Sequence, residues 1–305
     1  MIGAHLGATD RMVQRVPHTN PVNSIRTREL YKTLEPFAAQ VYFSPECNRA
    51  YESLGFAPSP GSRGGVEMPD WPAYFASRGS ALGQASGELI AATFAVFNPA
   101  VVIPAVEHGW TLTDAATVRA VRTQGAIEQL RRVLGIAPEG LQRALDLLRR
   151  AVDGLELAGK PLFAGLVAHG LSGDPLTDAW LLADQLREFR GDAHVNAWTS
   201  AGFDAVEIGL ITELYRGFPA RTQVLIKAWS DDELTAGEAR LAERGLARDG
   251  VITDSGRAAR EAVEVATDAA CAAVLMNLGG HCADLAALLA GWSTLLIEMG
   301  AYPKG

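Results

Sequence analysis

Apolar residues recur at three- and four-residue intervals along most of the chain, and stretches alternating with period two are nearly absent. That pattern predicts a mainly α-helical protein. Ser24 is placed to cap a first helix through Leu30, Leu34 and Phe37, with Pro36 bending it. Ser44-Pro45-Glu46 starts a second, which Gly55 ends. Residues 57–71 read as a surface loop and Trp71 to Arg78 as a short helix. Ser86 or Gly87 opens an apolar helix that stops at Asn98-Pro99. A short helix reaches His108-Gly109, and Thr113 caps a long one closed by Gly135. Pro138 begins an amphipathic helix, Lys160 to Gly170 is short and apolar, and Asp174-Pro175 starts a helix into the middle of the chain. A further helix begins at about Asp192. Three more follow, over Phe203–Tyr215, Pro219–Ala228 and Asp232–Arg244. Asp249-Gly250 between two short apolar runs marks a hairpin. Helices over Ala258–Ala273 and Cys282–Met299 complete the chain, the last suited to a core or dimer interface.

The same order of elements occurs twice. Trp110 follows Glu88, and Trp229 follows Glu207, at one spacing of 22 residues, and the two pairs are offset by 119. Gly83 and Gly202, and Thr93 and Thr212, match at that offset. Self-similarity of this kind predicts two tandem winged-helix-like repeats with a minimal β-wing, plus a C-terminal helix. The boundaries are a flexible N-terminal arm over residues 1–23, a first repeat over 24–137, a second over 138–257, and packing or dimerisation helices over 258–305.

Chemistry concentrates at Leu186-Arg187-Glu188-Phe189-Arg190-Gly191-Asp192-Ala193-His194-Val195. Arg190, Asp192 and His194 fall where the apolar pattern predicts burial, and buried charges need partners. One reading is structural: Asp192 caps a helix, Arg190 ties the preceding C-terminus, and His194 is a satisfied core histidine. The other is functional. His194 acts as acid or base in a cavity between the repeats, Asp192 or Glu188 fixes its tautomer, and Arg190 holds an anionic or carbonyl oxygen. The repeat offset places Phe75 opposite His194, beside Tyr74 and Arg78. These residues, with Tyr42, Phe189 and Trp198, are the expected lining of a ligand pocket.

Composition narrows the classes. Hydrophobic residues are 48% and charged residues 20% of the chain, as in an ordinary globular protein with ample core. The net charge of −8 opposes attraction to nucleic-acid phosphates and anionic lipid. The three cysteines lack CxxC spacing, and neither a signal-peptide pattern nor a long apolar run is present, so a cytoplasmic protein off the membrane is expected. Metal-ligand spacings, dinucleotide fingerprints and phosphate loops are also missing, so neither metal nor cofactor is expected.

Trp229, the helix after it, Gly245-Leu246, Asp249-Gly250 and Thr253-Asp254-Ser255-Gly256-Arg257 resemble a MarR-like winged helix. More widely, Leu34-Glu35-Pro36, Tyr74-Phe75-Ala76-Ser77-Arg78, Lys160-Pro161-Leu162-Phe163 and Arg190-Gly191-Asp192-Ala193-His194-Val195 are similar to actinobacterial proteins described only as a helix-turn-helix family. Histidines are common in that family at the positions of Ala38 and Phe189, where this chain departs from the pattern. The resemblance implies a regulator that binds DNA. Yet the helix in the recognition position opens with Asp231-Asp232-Glu233, which like charge sets against phosphates. The sequence therefore points first to a small-molecule-binding protein, in the enzymatic form a cofactor-independent acid/base catalyst of specialised metabolism. A homodimer is the expected assembly, and a MarR-like ligand-responsive regulator is the alternative.

Overall fold

Helix starts in this chain are set by local chemistry: a side-chain cap, often followed at once by proline. The computed structural model describes residues 21–304, so of the expected N-terminal arm only the last three residues, which open a helix, are described. α1 (Pro21–Ala39) continues through Pro36 and passes by a 3-10 turn into α2 (Pro45–Glu52). Ser44 caps α2 by accepting the Cys47 N–H at 3.1 Å. The loop that follows holds a hairpin the sequence did not announce, β1 (Ser62–Arg63) against β2 (Val66–Glu67). Next come α3 (Trp71–Gly79), α4 (Gly87–Phe94), α5 (Pro99–Leu112) and α6 (Ala115–Leu134), capped by Asp70, Ser86, Asn98 and Asp114. Asp114 displaces the expected cap Thr113 because its carboxylate takes both the N–H and the hydroxyl of Thr117.

α7 (Leu141–Val152) starts three residues later than Pro138 suggested, after Gly140 in a left-handed conformation. α8 (Pro161–Ala168) and α9 (Pro175–Ser200) follow. The break expected near Asp192 does not occur, and α9 is one helix of 26 residues. Glycine in a helix interior costs only about 1 kcal/mol. Burial of Leu186, Phe189 and Ala193 around Gly191 offsets that cost. α10 (Ala205–Tyr215) and α11 (Asp231–Glu243) each begin with a capping box, Asp204 with Glu207 and Ser230 with Glu233. The helix expected over Pro219–Ala228 is only a 3-10 turn, Val224–Lys227. Arg221 and Ala228 take positive φ, which an α-helix through Pro219–Ala228 cannot contain, and between them the Glu213 carboxylate accepts the backbone N–H groups of Gln223 and Val224 at the start of the turn. β3 (Ala247–Arg248) pairs antiparallel with β4 (Val251–Ile252) across Asp249-Gly250, both with positive φ, as the hairpin pattern predicts. α12 (Asp254–Ala270), α13 (Ala272–Leu278) and α14 (Cys282–Glu298) end the described chain.

Burial falls into three cores. The largest joins α1, α2, α6, α7, α9, α13 and α14 around Phe37, Trp180, Leu186 and Trp292. A second fills α10, α11, the β3–β4 hairpin and α12, and takes in Trp198. A third lies among α3, α4 and α5, with Leu162 of α8. α9 runs from the first core into the second and so fixes one against the other. The stretch Ala272–Glu298 has a mean hydropathy of 1.4, enough by composition to cross a bilayer. A 3-10 turn interrupts it at Gly279–His281, and Leu285, Leu289 and Leu296 are fully buried within the main core.

The two halves differ in detail. The 14-residue α5 has only the Val224–Lys227 turn at the equivalent place, α6 leads into the loop before α7 and not into a hairpin, and β1–β2 precedes α3. Trp110 donates to Ala85 O in its own half (2.7 Å), whereas Trp229 donates across to Val96 O (3.0 Å).

Candidate functional site

α9 carries the chemistry, but its faces send it in different directions. Arg190 and His194 lie one turn apart and both face α12. Arg190 Nη2 bonds Glu264 Oε2 at 2.7 Å and approaches Asp268 at 3.6 Å. The Thr267 hydroxyl gives its proton to Val263 O (2.8 Å), so it accepts from His194 Nδ1–H at 3.0 Å, which leaves the imidazole protonated on Nδ1. Burial, with the charges of Arg260 and Arg190, pushes the His194 ring down to about 4, against the pull of Glu264. Asp192 points to the opposite side. Its Oδ2 accepts the Phe163 N–H at 3.0 Å and supplies the first turn of α8 with the cap that Lys160 does not provide. Burial pushes the Asp192 carboxyl up to about 7, and the Glu188 charge adds to the rise. The three residues expected to act together therefore share no cavity.

Between these faces lies a buried ion network. Arg78 clasps Glu188 with two bonds of 2.8 Å, and Arg187 Nη1 reaches the same carboxylate at 2.9 Å. Against the opposing effect of burial, these two guanidiniums hold the Glu188 carboxyl down at about 2. Arg122 bonds Asp184 at 2.9 Å and donates to the Tyr42 hydroxyl at 3.2 Å. Tyr42 in turn packs edge-on against Tyr74, with ring centroids 5.1 Å apart.

This network backs a cavity of about 390 Å³ between α1, α3, the β1–β2 loop and the Val224–Lys227 turn, a size that suits a small ligand. Seven rings line it: Tyr42, Phe43, Trp71, Tyr74, Phe75, Phe97 and Tyr302. Its charged lining is Arg63, Arg187 and Lys227 against the single carboxylate Glu35, which Arg187 already holds at 3.1 Å. Lys227 stands over the Phe97 ring at 4.1 Å and has no ion-pair partner among the described residues. Burial, reinforced by the charges of Arg78, Arg187 and Arg63, brings its ammonium down to about 8.

The turn that carries Lys227 is held from outside. Asn98, the α5 cap, donates its backbone N–H to Lys227 O (2.9 Å). Its Nδ2 reaches Ala228 O (3.1 Å) and Glu233 Oε2 (3.1 Å), and its Oδ1 accepts from Ala100 N.

Of the expected lining, Tyr42, Tyr74 and Phe75 face this cavity. Arg78 sits behind it, stacked 4.3 Å over Phe94 and committed to Glu188. Phe189 packs edge-on against Phe163, and Trp198 is buried in the second core. Ala38 and Phe189 are both buried in the main core. Sequence reasoning missed Lys227 and the role of Arg187. The available signal was Lys227 itself, one of four lysines, set directly after Val224-Leu225-Ile226. A larger groove of about 690 Å³ lies between α6 and the α8–α9 loop, but its charges are already committed. Arg122 goes to Asp184, Arg131 to Asp174 and Arg119 to Ser80 O. Among the described residues no group of three or more His, Cys, Asp or Glu is placed to hold a metal ion.

Over residues 27–303 the chain matches the family described as Helix-turn-helix family. The chain belongs to that family. Comparison with curated proteins and with solved structures returned no match. In this helix-turn-helix protein, α10 and α11, joined by the 3-10 turn, form a helix pair whose connecting turn supplies one wall of the cavity.

Proposed function

We propose that the protein binds a small planar anion, in the simplest case an aromatic carboxylate, in the cavity between α1, α3 and the Val224–Lys227 turn. One observation carries this reading: seven aromatic rings line a cavity in which Arg187 is already bound to Glu35 and Glu188, while Arg63 and Lys227 have no carboxylate partner among the described residues. Such a lining favours a flat apolar body through ring packing and a negative end through Arg63 and Lys227. In this reading α10, α11 and the β3–β4 hairpin are a winged helix of the MarR-like kind that serves as scaffold. Acid/base chemistry from His194, Asp192 and Arg190 plays no part, since none of the three lines the cavity.

The test is a titration with 2-naphthoate, followed by quenching of tryptophan fluorescence, Trp71 being in the cavity wall. Saturable binding is expected, weakened at least about tenfold (about 1.4 kcal/mol) in Lys227→Met and Arg63→Met. Equal affinity in the wild type and both variants, or no saturable binding, overturns the reading.

The second reading is a DNA-binding regulator. It draws on Arg248 of the hairpin and Arg257 of α12, both exposed and without an ion pair among the described residues. Against it, the exposed side of α11 presents Asp231, Asp232 and Glu243, while Arg240 and Arg244 are paired with Asp204 and Glu207.

A further inference from the structure

Lys227 invites a question the anion reading leaves open, namely why a cavity with two arginines also holds an amine without a counter-ion. A lysine paired with a carboxylate is a permanent cation. One that borders a cavity lined by rings and by Arg187 and Arg63 is partly kept in its neutral and nucleophilic form by burial and like charge, against the cation–π contact with Phe97. With the ammonium brought down to about 8, roughly a tenth of the amine is neutral at pH 7 and about half at pH 8. The backbone around it is fixed, since Asn98 holds both the Lys227 and Ala228 carbonyls. Arg63, without a carboxylate partner among the described residues, lines the same cavity and suits a carboxylate. A ligand that satisfies both features carries an electrophilic carbonyl next to its carboxylate and an aromatic body for the rings.

We propose that Lys227 condenses with the keto group of an aromatic 2-oxo acid seated in this cavity and holds it as an imine. The inference rests on the anion-binding reading above and adds a covalent step to it. The Lys227 nitrogen lone pair attacks the keto carbon, and the carbonyl π pair goes to oxygen, which takes up a proton to give a carbinolamine. Loss of that hydroxyl with the remaining nitrogen proton releases one water and leaves a carbon–nitrogen double bond. No oxidant or reductant enters. The carboxylate next to the keto carbon stays on the Arg63 guanidinium throughout.

The experiment uses the full chain with phenylglyoxylate as the probe, with and without sodium borohydride, read by intact mass and peptide mapping. The expected result is a single borohydride-dependent mass gain equal to the acid less one oxygen atom, mapped to Lys227 and absent in Lys227→Arg. Lys160 serves as internal control: it also stands over a ring, Phe189 at 4.6 Å, but does not line the cavity and should stay unmodified. Modification spread over Lys32, Lys160 and Lys304 overturns the proposal. Saturable quenching of tryptophan fluorescence by phenylglyoxylate without an adduct also overturns it, and leaves the anion-binding reading standing. Neither quenching nor adduct removes both. Because the mapping is done on the wild-type chain, a variant that fails to fold does not blunt the test.

Discussion

Asp192 and His194 sit two residues apart on opposite faces of α9 and carry opposite proton preferences. Folding raises the Asp192 carboxyl from its ordinary value near 3.8 to about 7. The folded state therefore holds that proton more tightly, and the stabilisation is full below pH ~3.8 and lost as pH rises through about 7. Folding lowers the His194 ring from 6.5 to about 4, so its contribution is full above pH ~6.5 and lost as pH falls through about 4. Over the shared window the two slopes oppose each other, and the Glu188 and Glu264 carboxyls, lowered from 4.5 to about 2, add a slope only towards its acid edge and below. The wild type should then show little change in stability between about pH 5.5 and 6.5. His194→Asn, which keeps a donor for Thr267, should lose stability as pH rises. Asp192→Asn, which keeps an acceptor for Phe163 N–H, should gain it, each with a slope of up to about 1.4 kcal/mol per pH unit. Denaturant midpoints across that range settle the matter, and parallel curves for all three proteins would contradict it. The sequence pointed to these residues because charges inside an apolar pattern stand out. It could not say that they face different partners, since that depends on α8 and α12 arriving from either side.

Local signals served well for the elements themselves. Ser44-Pro45, Asp174-Pro175, Ser230 with Glu233, and Asp249-Gly250 all act within a few residues, and each marks the boundary or turn the chain adopts. Two expectations failed where the deciding contact is not local. Gly191 did not break α9 because burial on both sides outweighs its modest cost. The Pro219–Ala228 helix did not form because Arg221 and Ala228 take positive φ, with the Glu213 side chain, on α10, holding the start of the shorter turn between them. Gly256 shows the reverse case, a family-like motif residue that the structure explains. A Cβ there would stand 2.0 Å from Leu246 O, so only glycine lets α12 start tight against the β3–β4 hairpin. Gly256→Ala should cost about 2–4 kcal/mol by forcing the hairpin off the helix. Chemical denaturation measures this directly, and a loss under about 0.5 kcal/mol would show that the hairpin yields freely.

Taken whole, the molecule carries a net charge of −8 and an acidic face on the helix that a DNA reader would insert. Anisotropy with mixed-sequence duplex DNA from about 20 to 200 mM salt should show no binding at any point. Binding that weakens steeply with added salt would bring the regulator reading forward and make Arg248 and Arg257 its anchors. The cavity was only half legible at this scale. Tyr42, Tyr74 and Phe75 could be named from pattern and offset. Arg187 and Lys227 could not, because residues from opposite ends of the chain, Glu35 to Tyr302, close around them.

Asn98 has a wider consequence. Through it, the turn that walls the cavity is tied to the first turn of α11, because one side chain bonds Ala228 O and Glu233 at once. Two sites that share a support cannot be set independently. A ligand that prefers one placement of Lys227 shifts α11 by a certain free energy, and whatever grips α11 in that placement returns the same amount to the ligand's affinity. On the anion-binding proposal, occupancy of the cavity should be readable at the first turn of α11, and Asn98→Ala should remove that link.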